Sequence, residues 1–188
     1  MDSFFTTLDH LEYPLVKSLQ DMDGTFLDPF FRAVSDVPSM IVFFSIIILT
    51  LFATRHAIWK PFLIALVIAL VVHFIVNEWI LKDLLASFGI FRPRPYTVHS
   101  DLMAIGYPFA DSSFPSSHMA FTTLIVVIVT YFERRFLFFG VLTILIMWLS
   151  RIHDAMHYPT DVLMGIFMWL IYGFLGLWGM RKIKTRKK

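Results

Sequence analysis

Ser150, Arg151, His157 and Asp161 share the stretch Ser150-Arg-Ile-His-Asp-Ala-Met-His-Tyr-Pro-Thr-Asp161, which separates two strongly apolar segments. Ser113-Phe-Pro-Ser-Ser-His118 opens another apolar segment, and Phe91-Arg-Pro-Arg-Pro-Tyr96 lies upstream in the same loop. Cleavage of a phosphate ester needs a nucleophile, cations for the equatorial oxygens and a proton for the leaving alkoxide. These three clusters contain all of them. His157 can attack phosphorus. Asp161 follows four residues later and can hold the imidazole N–H if the chain turns at Tyr158-Pro159, which fixes the tautomer. Arg151 offers a planar fork to two oxygens. Ser116 and Ser117 precede a long apolar helix, whose first N–H groups and dipole make an anion site. His118 stands where it can protonate the leaving oxygen.

Each residue alone has a plainer use. Arg151 could snorkel to lipid headgroups, Ser116 could be an ordinary helix cap, and a histidine such as His73 could simply pack. Polar groups gathered at the ends of apolar segments, with mutual spacing, favour a site. A metal centre is the competing chemistry, because His153, His157 and Asp161 recur every four residues. Pro159 breaks the helical face this would need, and two arginines are poor company for a cation. The expectation is therefore no metal.

The elements that must hold these clusters are membrane helices. The chain is 57% hydrophobic and 16% charged, and its mean hydropathy of +0.71 points to a polytopic, all-α bundle. It has no cysteine, which excludes disulfides and thiolate metal sites. Apolar runs at about 38–54, 60–81, 117–132, 136–150 and 161–180 predict five transmembrane helices. A polar loop at 82–115 carries two of the clusters. Residues 1–37 hold seven acids, no long apolar run and no basic start, so they do not read as a signal peptide. Phe26, Leu27, Phe30, Phe31 and Val34 recur at helical spacing. That predicts amphipathic helices lying on the membrane surface or, equally, a helical cap on the bundle. The whole of 1–188 is expected to form one domain.

Basic residues set the orientation. Alternating spans put Arg55, Lys60, Arg134, Arg135 and the tail 181–188 on one side, ten of the sixteen Lys and Arg. That side, with the C-terminus, is expected to be cytoplasmic. The three clusters fall together on the other, facing periplasm or exterior. The partners expected are a lipid phosphate and membrane lipids, with no nucleic acid.

The clusters resemble the type 2 phosphatidic acid phosphatase superfamily, which also includes vanadium haloperoxidases. Its third motif is Ser-Arg, five residues, His, three residues, Asp, and Ser150-Arg151, His157 and Asp161 match every fixed position. Its second motif, Pro-Ser-Gly-His, reads Pro115-Ser116-Ser117-His118 here, with Ser117 in place of glycine. Its first motif is Lys, six residues, Arg-Pro. Arg94-Pro95 fits the end of it, but Ser87 stands at the lysine position, which leaves Lys82 or Arg92 for that role. The resemblance covers about residues 60–180. It implies that His157 is the nucleophile, through a phosphohistidine, that His118 is the proton donor, and that Arg94 and Arg151 bind phosphate. It also implies a lipid phosphatase of the plasma membrane that uses neither a metal nor an organic cofactor. Undecaprenyl pyrophosphate is the substrate that the short chain and compact loop favour. Phosphatidylglycerol phosphate, phosphatidate and lipid A phosphates are alternatives, as is phosphotransfer to another lipid. A non-enzymatic lipid transporter would carry its polar residues mid-span instead.

Overall fold

The computed structural model describes residues 3–22, 26–108 and 111–185. Among the described residues all regular structure is helical. The N-terminal stretch forms α1 (Ser3–Gln20) and α2 (Leu27–Ser35). Val16 and Phe31 are buried against the bundle, while Leu11, Phe26 and Phe30 remain exposed. Asp36 ends α2 and starts α3 (Val37–Thr54): its carboxylate accepts from the Ser39 N–H at 3.1 Å, and Pro38 sits in the first turn, where its missing N–H costs nothing.

α4 (Trp59–His73) continues without a break into wider, π-type turns over Phe74–Leu84. Then come α5 (Ser117–Phe132), α6 (Leu137–His153) and α7 (Pro159–Thr185). Among the described residues, four regions are long and apolar enough to cross a membrane: Val37–Thr54, His56–Leu84, Arg134–His153 and Pro159–Thr185. The fifth expected span, α5, has only 16 residues. It rises about 24 Å, against roughly 30 Å of hydrocarbon. It is also the inner helix, with Met119, Ala120, Leu124 and Ile128 wholly buried.

α7 lies between α4 and α5, and glycines set how closely. A Cβ at Gly165 would stand 2.9 Å from the Ser116 carbonyl oxygen, and one at Gly176 would stand 2.5 Å from that of Ala65. Any side chain at these positions would push α7 off the start of α5 and off α4. Trp169 and Tyr172 fill the space between, while Phe138, Phe167 and Phe174 point outward, as lipid-facing residues do.

The two ends of the bundle differ. At one, Arg55 meets Glu133 at 2.8 Å and Arg181 donates to the Tyr131 hydroxyl at 3.0 Å. Lys182 and Lys184 follow there, while Arg186, Lys187 and Lys188, the rest of the expected basic tail, lie outside the described residues. The other end carries the three clusters.

Candidate active site

His157 owes its place to a turn between α6 and α7. Ala155 adopts a left-handed φ of 52°, and the His157 N–H closes onto the Arg151 carbonyl at 3.2 Å. Pro159 then opens α7, the first-turn position that suits proline. The imidazole is buried, with Nδ1 2.8 Å from the Ser113 carbonyl oxygen and Nε2 3.4 Å from Arg94 Nη1. A carbonyl can only accept and a guanidinium can only donate. Nδ1 therefore carries the proton, and Nε2 turns its lone pair towards Arg94. Burial first, then Arg94 and Arg151, hold the imidazole below its ordinary range, so the ring is neutral at pH 7.

Asp161 does not hold this ring as its spacing predicts. Its Oδ2 lies 3.9 Å from His157 Nδ1 and instead accepts from the Tyr158 N–H at 2.8 Å, while Oδ1 pairs with Arg92 at 2.6 Å. The Ser113 carbonyl takes the orienting role, because the turn directs the Asp161 carboxylate back at the backbone it caps.

Arg94 and Lys82 converge. Both reach Asp111, Arg94 Nη2 at 2.5 Å and Lys82 Nζ at 2.6 Å, and Arg94 Nη1 also donates to the Met156 carbonyl at 2.9 Å. The chain between them leaves the helix after Ser87 and turns at Gly89, whose φ is 80°. That turn absorbs the residues by which Lys82 exceeds the motif spacing. Burial opposes ionisation of Asp111, but Lys82 and Arg94 outweigh it and hold its carboxyl at about 2.

Arg92 takes a different place from the one expected. Its guanidinium pairs with Glu12 at 2.5 Å and Asp161 at 2.6 Å, donates to Thr160 Oγ1 at 2.7 Å, and stacks 4.0 Å over the Tyr158 ring. Two carboxylates and a hydroxyl occupy it, so it serves as a structural clamp rather than a phosphate ligand. Glu12 also accepts from the Thr160 N–H at 2.6 Å, which ties α1 to the start of α7.

Arg151 is buried at the end of α6. Its Nη1 lies 3.7 Å from Asp154, while Nε and Nη2 have no hydrogen-bond partner among the described residues. Asp154 is itself held by Ser35 at 2.6 Å. Burial pushes the Asp154 carboxyl up, and Ser35 and Arg151 pull it back. Ser150 donates to the Phe31 carbonyl at 2.9 Å and so fastens α2 to α6.

Ser116 and Ser117 stand at the start of α5, but Ser116 differs from expectation. Its N–H bonds the Asp161 carbonyl at 3.1 Å, so the helix-end donors begin at Ser117. The Ser117 hydroxyl takes the Asn77 amide at 3.2 Å. His153 Nε2 sits 3.1 Å from Asp28, facing away from any triad with His157. Among the described residues, no three His, Cys, Asp or Glu are gathered as metal ligands.

A cavity of about 830 Å³ leads in, with His118, Arg151 and Met156 on its wall and Arg32, Ser39 and Tyr107 among its other lining residues. An apolar cavity of about 370 Å³ adjoins it, shares Ala33 and Ser39, and runs past Met40, Phe44 and Met147.

Apolar helices with a buried cluster of His, Arg and Lys at one end define a multi-pass membrane protein. The chain belongs to the PAP2 superfamily, whose model matches residues 60–187. It is 35% identical over 95 residues to undecaprenyl-diphosphatase BcrC of Bacillus subtilis (strain 168), covering 48% of this chain and 47% of that protein. The similarity thus spans about half the length of that relative. The fold is similar to the crystal structure of Aquifex aeolicus LpxE (TM-score 0.67, 23% identity, 89% of this chain and 94% of that one). It is also similar to that of a transmembrane PAP2-type phosphatidylglycerolphosphate phosphatase from Bacillus subtilis (TM-score 0.64, 16% identity, 97% and 88%). α1, with Glu12, lies outside the matched 60–187 stretch.

Proposed function

We propose that the protein is a lipid phosphatase that removes the terminal phosphate of undecaprenyl pyrophosphate through a phosphohistidine. The observation that carries the reading is the His157 ring, with Nδ1 tied to Ser113 and the Nε2 lone pair beside the Arg94 guanidinium. Nε2 attacks phosphorus as the P–O bond to the leaving group breaks, and His118 gives that oxygen its proton. A water then attacks the phosphohistidine and gives its proton to His118. The N–P bond breaks, and inorganic phosphate leaves. Arg94, Arg151, Lys82 and the first N–H groups of α5 neutralise the equatorial oxygens. The residues supply nucleophile, acid and charge, and the mechanism uses no metal or cofactor.

An apolar cavity joined to a charged one suits a lipid whose chain lies by Met40 and Phe44 while its phosphate reaches His118. The similarity to undecaprenyl-diphosphatase BcrC supports the choice of lipid. Phosphate release from a panel of purified lipid phosphates, with and without EDTA, tests the reading. Undecaprenyl pyrophosphate should be turned over fastest, and EDTA should not matter. The site is proposed to face outward from the plasma membrane, with the Arg181 end cytoplasmic. Cysteines at Ser100 and Thr185 test this in a chain that has none: an impermeant maleimide on intact cells should label position 100 alone.

A further inference from the structure

The cations of the site are not equally available. Among the described residues, two nitrogens of Arg151 have no hydrogen-bond partner, whereas Lys82 and Arg94 both hold Asp111, at 2.6 and 2.5 Å. The guanidinium that grips Asp111 through Nη2 is the one whose Nη1 lies 3.4 Å from His157 Nε2. A carboxylate therefore sits where a phosphate bound by Lys82 and Arg94 would sit. The two sides of the contact also differ in freedom. The Lys82 and Arg94 side chains are 6% and 3% exposed, and the Met156 carbonyl further anchors Arg94. The Asp111 side chain is 38% exposed. The cations are fixed, and the carboxylate is the partner that can swing out into solvent.

We propose that Asp111 determines specificity as an internal anion, which a ligand must displace before its phosphate reaches Lys82 and Arg94. A carboxylate brings one charge and two acceptor oxygens. A phosphodiester brings the same and gains little by the exchange. A terminal phosphate brings up to two charges and three acceptor oxygens, so it prevails. The distinction matters at a bilayer surface, where ordinary phospholipids are phosphodiesters and bare cations would collect them. Asp111 thus acts against the wrong ligand as much as for the right one. The inference rests on the phosphatase reading above.

The test uses the whole protein in detergent micelles turning over a lipid phosphate. With the native chain, methyl phosphate should compete, and dimethyl phosphate and added phosphatidylglycerol should not. In Asp111→Asn both diesters should become competitive inhibitors, binding about tenfold more tightly, the scale of one charge-assisted contact. Asp111→Glu should restore rejection. Equal inhibition of the native protein by methyl and dimethyl phosphate would overturn the proposal, and that arm needs no variant to fold. So would an Asp111→Asn protein that stays indifferent to both diesters while still turning over substrate. A native protein that releases phosphate from no lipid would remove the parent reading as well.

Discussion

Arg92 and Arg94 stand two residues apart in the same Arg-Pro-Arg-Pro run, yet they belong to opposite kinds of region. Arg92 lies in a closed network in which Glu12, Asp161 and Thr160 occupy both terminal nitrogens and the Tyr158 ring covers it. Arg94 lies in an open one, facing His157 and a partly exposed Asp111. Buried arginine by itself therefore says nothing of function. What separates the clamp from the proposed phosphate ligand is whether the neighbouring carboxylates are themselves buried. The Glu12 and Asp161 side chains are 9% and 0% exposed, against 38% for Asp111. A closed pair cannot be exchanged for a phosphate without leaving an uncompensated buried charge, and an open one can.

The comparison can be broken in several ways. The largest effect is expected at His157→Ala, which should abolish phosphate release because no other group in the open region is placed to attack. Residual turnover at the native rate would refute the whole assignment. His118→Ala should slow lipid phosphate monoesters, whose leaving group is an alkoxide, by roughly 10²–10⁴, the usual worth of general-acid catalysis. A nitrophenyl phosphate should suffer much less, since its leaving group needs no proton, and equal losses on both would exclude that role.

The two arginines give the sharpest contrast. Arg92→Ala should cost about 3–5 kcal/mol of stability by stranding Glu12 and Asp161, read as a lower unfolding midpoint in detergent. Arg94→Ala should hold its midpoint far better and lose about 10²–10³ in kcat. Similar losses of stability in both variants would erase the distinction drawn here.

The smallest effect concerns pH. His157 must be neutral to attack, and its folded value is depressed, so activity should persist as pH falls and drop only below the ordinary histidine value of about 6.5. The unfolded chain protonates this ring first, so stability also declines as pH falls below that value. The acid limb of kcat/KM reports the free enzyme. Arg94→Gln should move it slightly upward, because the arginine charge helps hold the ring neutral, and Arg92→Gln should leave it in place. A limb at or above 6.5 in the native protein would contradict the burial of His157.

Residue types and spacing carried the helical class, four of the five spans and the grouping of the three clusters at one end. The physical reason is that hydropathy over a segment about as long as a bilayer is thick is a local property, and strict alternation of spans then fixes which loops share a side. The turn that places His157 was legible for the same reason, since Pro159 and the Ser-Arg to His spacing act within a dozen residues. Partner choice was not legible. Nothing local separates Arg92 from Arg94, and nothing in the spacing says that the Ser113 carbonyl holds His157 while Asp161 turns back to Tyr158. Lys82 stands outside the motif spacing, and only the turn at Gly89 takes up the excess. Asp111 and Glu12 carried no signal, standing 17 and 80 residues from the arginines they meet. Electrostatic pairing depends on distance in space and on shared burial, and only the packed bundle sets those.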